Sequence, residues 1–101
     1  MSIQVPCSIG ELWDKCSILL IKKEKDEFLF NKMNPEYYTH KLFLRLKVVN
    51  EHLWEIENKL RIKEKDNEFD AFFIELARSM LYKNDKREEI KNEINTLFNC
   101  L

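Results

Sequence analysis

Two rows of polar side chains carry most of the chemistry this chain could offer. Glu11, Lys15, Ile18 and Lys22 recur at spacings of four, three and four, and Asn50, Trp54, Glu57, Arg61 and Glu64 follow the same rhythm later. Residues spaced this way share one helix face. Arg78, Tyr82, Asp85 and Arg87 add a third polar group nearer the C-terminus. Brought together, Lys15, Arg61 and Arg78 would offer donors to a small anionic or zwitterionic ligand. Glu57 would orient the ligand or exchange a proton with it, and Trp54 would form a wall. The same residues also suit the flanking salt bridges of a helical bundle, each contributing a few tenths of a kcal/mol when exposed. Burial separates the two readings, because an unpaired buried charge costs several kcal/mol and is kept only with a partner or a ligand.

Other chemistry finds less support. His40 stands near Glu36 and His52 near Glu55, but neither pair forms H-E-x-x-H and no cysteine lies at finger spacing, so no metal or cofactor is expected. Ser8 has no local His-Asp company, and helix capping accounts for it. Cys7, Cys16 and Cys100 form an odd set without a C-x-x-C pair, which fits free thiols in a reducing cytoplasm. Cys16 lies among apolar positions and reads as a small core residue. Gly10, in the first turn of a helix, suits close helix packing; it would also open backbone amides to a ligand, although Glu11 repels an anion there.

The elements that hold these residues must be helical. The 101 residues are 45% hydrophobic and 35% charged, with one Gly and two Pro, which leaves little material for the tight turns of a sandwich or barrel. One domain spanning 1–101 is expected. Seventeen basic against eighteen acidic residues give a net charge of −1, and the lysine groups around Lys22 and Lys86 are interleaved with acids. Neither nucleic acid nor a membrane surface is therefore an expected partner. The longest apolar block, Ile18 to Ile21, is far too short to span a bilayer, and no basic stretch leads into an N-terminal apolar run, so a cytoplasmic location is expected.

Ser8 and Glu11 stand in capping-box relation, with Cys7 and Leu12 placed to form a staple. They predict a first helix running to about Phe28 or Phe30, with Leu12, Cys16 and Leu19 as its buried stripe. Asn31 to Asn34 is the connection. Asn34 and Pro35 signal a second start, and Leu42, Leu46, Val49, Leu53, Ile56 and Leu60 keep a coiled-coil seam aligned to about Lys65. Phe69, Phe72, Phe73, Leu76, Met80 and Leu81 predict a third helix. Asn84 and Asp85 interrupt it, and Asp85 with Glu88 restarts a fourth helix, or a kinked continuation, through Ile90, Ile94, Leu97 and Leu101. The predicted fold is all-α: a long antiparallel hairpin of the first two helices, with two shorter C-terminal helices packed on it.

The segments V-P-C-S-I-G-E-L-W-D-K-C-S-I-L-L-I-K (from Val5), V-N-E-H-L-W-E-I-E-N-K-L-R (from Val49), F-I-E-L-A-R (from Phe73) and Y-K-N-D-K-R (from Tyr82) cover about half of the chain. Together they resemble a family of short, uncharacterised bacterial and phage helical proteins. Members usually read V-S-x-G-E-L in the first motif and carry Ile or Thr where Cys16 and Ser17 stand. The family's function is unknown, so the resemblance transfers no catalytic residue. It marks Glu11, Asp14, Lys15, Lys22, Asn50, Trp54, Glu57, Arg61, Arg78, Asn84, Asp85 and Arg87 as motif positions, and it allows an accessory role connected with nucleotide sugars. The spacings of helical chorismate-type mutases, which bind a dicarboxylate among Arg, Lys and Glu, are absent. The functional expectation is a non-enzymatic helical interaction or accessory module, forming a homodimer that covers the remaining seam. The alternative is a binder or enzyme for a small anion, a nucleotide sugar or a dicarboxylate, using the Lys15, Glu57, Arg61 and Arg78 constellation.

Overall fold

The computed structural model describes residues 9–23, 33 and 35–98, and every regular element among them is helical. Helix α1 spans Ile9–Lys22, a 3-10 turn spans Pro35–Thr39, helix α2 spans Lys41–Lys65 and helix α3 spans Ala71–Leu97. Ser8, Cys7, Cys100, Leu101 and the predicted Asn31–Asn34 connection fall outside the described residues, apart from Met33, which is buried in the core.

Two boundaries differ from expectation. α1 stops at Lys22 rather than near Phe28, because Lys23 adopts a left-handed conformation (φ 57°) and donates its N–H to the Leu20 carbonyl. The second long helix begins at Lys41 rather than at Pro35. The His40 imidazole Nδ1 accepts from the Leu42 N–H at 3.1 Å, so a histidine caps α2 and the Pro35 segment forms a separate turn. The predicted C-terminal boundary near Lys65 matches, with Asn67 left-handed just beyond it.

The C-terminal third also departs from prediction, since one continuous helix replaces two shorter ones. Asp70 caps it by accepting from the Phe73 N–H at 3.0 Å. Asn84 and Asp85 lie within its span, and their poor propensity, below about 1 kcal/mol each, is offset by the packing of Leu76, Ile90 and Ile94 on either side. No Gly or Pro lies between Ala71 and Leu97 to break it.

The long antiparallel pair is α2 with α3: Lys63 bridges Asp70 at 2.9 Å beside the connecting turn, and Arg45 pairs with Glu93 at 3.1 Å near the opposite end. α1 is not the antiparallel partner of α2. Trp13 packs on His40 and Phe43 at the start of α2, while Asp14 and Ser17 reach Asn50 further along, so α1 and α2 run parallel. Tyr37, in the turn that precedes α2, lies back at the start of α1, 5.1 Å from Trp13 between ring centres. A two- to five-residue turn would have forced antiparallel pairing; this connection does not.

α1 buries Gly10, Trp13, Asp14, Cys16 and Ser17, while Leu12 and Leu19 of the predicted stripe are only half-buried. Trp13, 1% exposed, is the centre of an aromatic cluster with Tyr37, His40, Phe43 and Phe98. Leu42, Leu46, Val49 and Leu53 of the predicted seam are buried against it, but Ile56 and Leu60 remain partly open. The reason is length. At about 1.5 Å per residue a 14-residue α1 covers roughly 21 Å, against roughly 37 Å for α2, so among the described residues only two helices occupy the far end of the hairpin. The principal dimensions are 53 × 27 × 27 Å.

Candidate functional site

Charge enters the interior where α1 meets α3. Gly10 allows the close approach: a Cβ there would lie 2.7 Å from the Lys91 carbonyl oxygen, and its N–H donates to the Asn95 Oδ1 at 2.8 Å. Four residues along, Asp14 is 1% exposed and takes the Arg87 guanidinium in a two-pronged pair, with Nε donating at 2.9 Å to Oδ1 and Nη2 donating to Oδ2. The Asn50 Nδ2 donates to Asp14 Oδ1 at 2.9 Å and to the Ser17 Oγ at 2.8 Å. Ser17 in turn donates its one proton to the Asp14 carbonyl at 2.7 Å. Because that hydroxyl proton is committed, Ser17 must accept from Asn50, which fixes the orientation of the amide.

A second buried cation lies one turn beyond Arg87. Lys91, 6% exposed, pairs with Glu11 and with Glu88, the latter at 3.1 Å. Hydrogen bonds to Asp14 hold the Arg87 guanidinium proton above its ordinary range. Burial alone would pull the Lys91 ammonium down, but its hydrogen bonds to Glu11 and Glu88, aided by the charge of Asp14, outweigh that and leave it raised. Tyr38, whose ring packs edge-on against Phe43, is pushed up to about 12 by burial, with Cys16 contributing. The two buried charges, Asp14 and Lys91, are thus each paired, with partners that reach the surface.

Next to this network is a pocket of about 200 Å³ at the C-terminal end of α1. Ile18, Ile21, Leu53 and Met80 form its apolar lining, and Lys22, Asn50, Trp54, Glu57, Asn84 and Arg87 add polar groups and the indole wall. Five of the sequence-derived candidates therefore converge: Lys22, Asn50, Trp54, Glu57 and Arg87.

The other five do not line it. Glu11 is turned to Lys91, and Lys15 is on the exposed side of α1. Arg61 is mainly solvent-exposed and pairs with Glu57 at 2.6 Å, one turn away on the same helix. Arg78 and Asp85 are exposed positions of α3. The predicted Lys15, Glu57, Arg61 and Arg78 constellation does not assemble as a unit, because burial of Trp13 and Asp14 rotates Lys15 toward solvent and continuity of α3 sets Arg78 and Asp85 on its outer side.

Asp14, Ser17 and Lys91 escape the spacing pattern, although Asp14 is a motif position. Their signal was available: Gly10, Trp13, Asp14 and Ser17 follow spacings of three, one and three, a buried helix face of its own. Among the described residues no group of three or more His, Cys, Asp or Glu is placed to hold a metal ion, and no helix is long and apolar enough to cross a membrane. No family model, curated protein or solved structure matches the chain.

Proposed function

We propose that the protein is a non-enzymatic helical interaction module that self-associates through the free end of its α2–α3 hairpin. The observation that carries this reading is the arm beyond α1, which no helix covers among the described residues. Ile62, Phe69, Phe72 and Ile74 lie near its tip and are 60%, 55%, 47% and 52% exposed. The same arm has an open groove of about 450 Å³, lined in part by Leu60, Phe73 and Ala77. A pair of helices has only one mutual seam to bury, and stacking a second pair on it makes a four-helix bundle. Between residues 57 and 78 the arm carries five Lys or Arg and six Asp or Glu, so two copies meet without strong repulsion. An isologous two-fold pairing fits this balance. The tip is also held in shape, since Lys63 bridges Glu68 at 3.3 Å and Asp70 at 2.9 Å with its ammonium over the Phe72 ring.

Light scattering tests the reading. The parent is expected at twice 12.3 kDa, and the double variant Ile62→Glu/Phe72→Glu at 12.3 kDa with its helical circular dichroism retained. A monomeric parent at high micromolar concentration overturns it. One observation favours a second reading, a small-molecule site: five polar candidates from three helices line one pocket beside a rigid buried network.

A further inference from the structure

The pocket at the end of α1 has a defined polarity that narrows its ligand, provided that the small-molecule reading holds. Asn50 spends both amide hydrogens on Asp14 and Ser17, so the only polar atom it can add to the pocket is the Oδ1 acceptor. Arg87 is held rigid by Asp14 through Nε and Nη2, which leaves further guanidinium N–H groups to donate. Asp14 balances its charge. Among the described residues Lys22 makes no ion pair, whereas Glu57 is the one carboxylate in the lining and is matched by Arg61. Donors and a cation thus stand with an acceptor and an anion, and beyond these matched pairs a single positive charge, on Lys22, is in excess. A doubly charged anion would carry more charge than that one cation offsets. Size points the same way: about 200 Å³ is below the roughly 300 Å³ at which pockets begin to enclose drug-sized ligands, so the pocket would enclose a small ligand but only part of a nucleotide sugar.

We propose that this pocket binds a free α-amino acid with an apolar side chain. Its carboxylate is held by Lys22 and Arg87, its ammonium by Glu57 and the Asn50 Oδ1, and its side chain lies against Trp54, Leu53 and Met80. The lining offers donors for the carboxylate and acceptors for the ammonium, and its apolar residues take what remains.

Titration calorimetry and amide chemical-shift mapping on the full chain test this with L-leucine and L-phenylalanine, beside 3-phenylpropionate, phenethylamine and succinate. The expected result is saturable binding of an amino acid, with shifts confined to the ends of α1 and the middle of α2 and α3. Loss of either charged group in the two phenylalanine fragments should weaken binding at least tenfold. Glu57→Gln and Lys22→Met should each reduce affinity about tenfold, and Trp54→Ala, at a half-exposed position, should do so without unfolding the chain. Binding of 3-phenylpropionate or succinate as tight as that of the amino acid overturns the zwitterion but keeps a small-anion site. Absence of saturable binding across the panel overturns both.

Discussion

At the residue scale the molecule depends on a carboxylate that reads as a surface group. Asp14 lies in the middle of α1, yet it is buried and receives Arg87 and Asn50, so its removal strands a guanidinium and an amide. Breaking a buried pair from one side costs about 3–5 kcal/mol; Asp14→Ala should come close to the lower figure because Arg87 keeps some water contact, with Tm falling on the order of 10 °C or more. Thermal denaturation checks this, with Arg78→Ala as a contrast expected to move Tm very little, since Arg78 is exposed. Gly10→Ala tests a different term. Alanine gains up to about 1 kcal/mol of helix propensity, but its Cβ meets a backbone oxygen that cannot move alone, so a net loss of about 1–3 kcal/mol is expected in urea titration.

Proton binding at two residues fixes an alkaline limit to stability. Tyr38 is raised from 10.0 to about 12 and Lys91 is raised from 10.5, so the folded chain holds both protons more tightly than the unfolded chain. The stability they contribute is complete below those ordinary values and is lost as pH rises through the folded ones. Tyr38→Phe should flatten the fall in Tm between pH 10 and 12, which a pH series of melting curves reads directly. In the sequence Asp14 was visible only as a motif position. A carboxylate in a helix interior resembles any solvated acid, and the distinction lies in Gly10, Trp13 and Ser17 flanking it on the same face, a pattern that an apolar-only stripe through Leu12 and Leu19 passes over.

At the element scale, helix identity was legible and helix pairing was not. The Leu42-to-Leu60 seam located α2 and its end at Lys65, because a long apolar repeat closing in a polar stretch has few other meanings. The start at His40 was not legible, since proline after asparagine is a common opening and a histidine cap is not. Asn84 and Asp85 misled for a related reason: local propensity of under about 1 kcal/mol argues for a break, and packing on both sides overrides it. Direction was lost in the connection. A turn after Phe30 implies antiparallel neighbours, whereas α1 ends at Lys22 and Tyr37 and His40 lie against Trp13 near its start, making α1 and α2 parallel. The packing this creates should be the strongest in the molecule. Trp13→Ala, which removes an indole contacting four rings, should cost about 3–5 kcal/mol by chemical denaturation, enough to leave the arm without its base.

At the scale of the whole molecule, one short helix on a long hairpin gives two unlike ends. The covered end has the aromatic cluster, the buried ion pairs and the pocket at its margin; the uncovered end presents the apolar arm. Half of the expected polar site was legible, because helical spacing names the residues on one face, while which faces meet depends on the unforeseen parallel path of α1. The interaction module is a claim about the arm, and hydrogen–deuterium exchange measured at low and at high protein concentration tests it most directly. Slower exchange with rising concentration, confined to residues 57–78 and absent in Ile62→Glu/Phe72→Glu, is the predicted result. Exchange in that segment that does not change with concentration, or a change centred on the covered end, would contradict self-association through the arm.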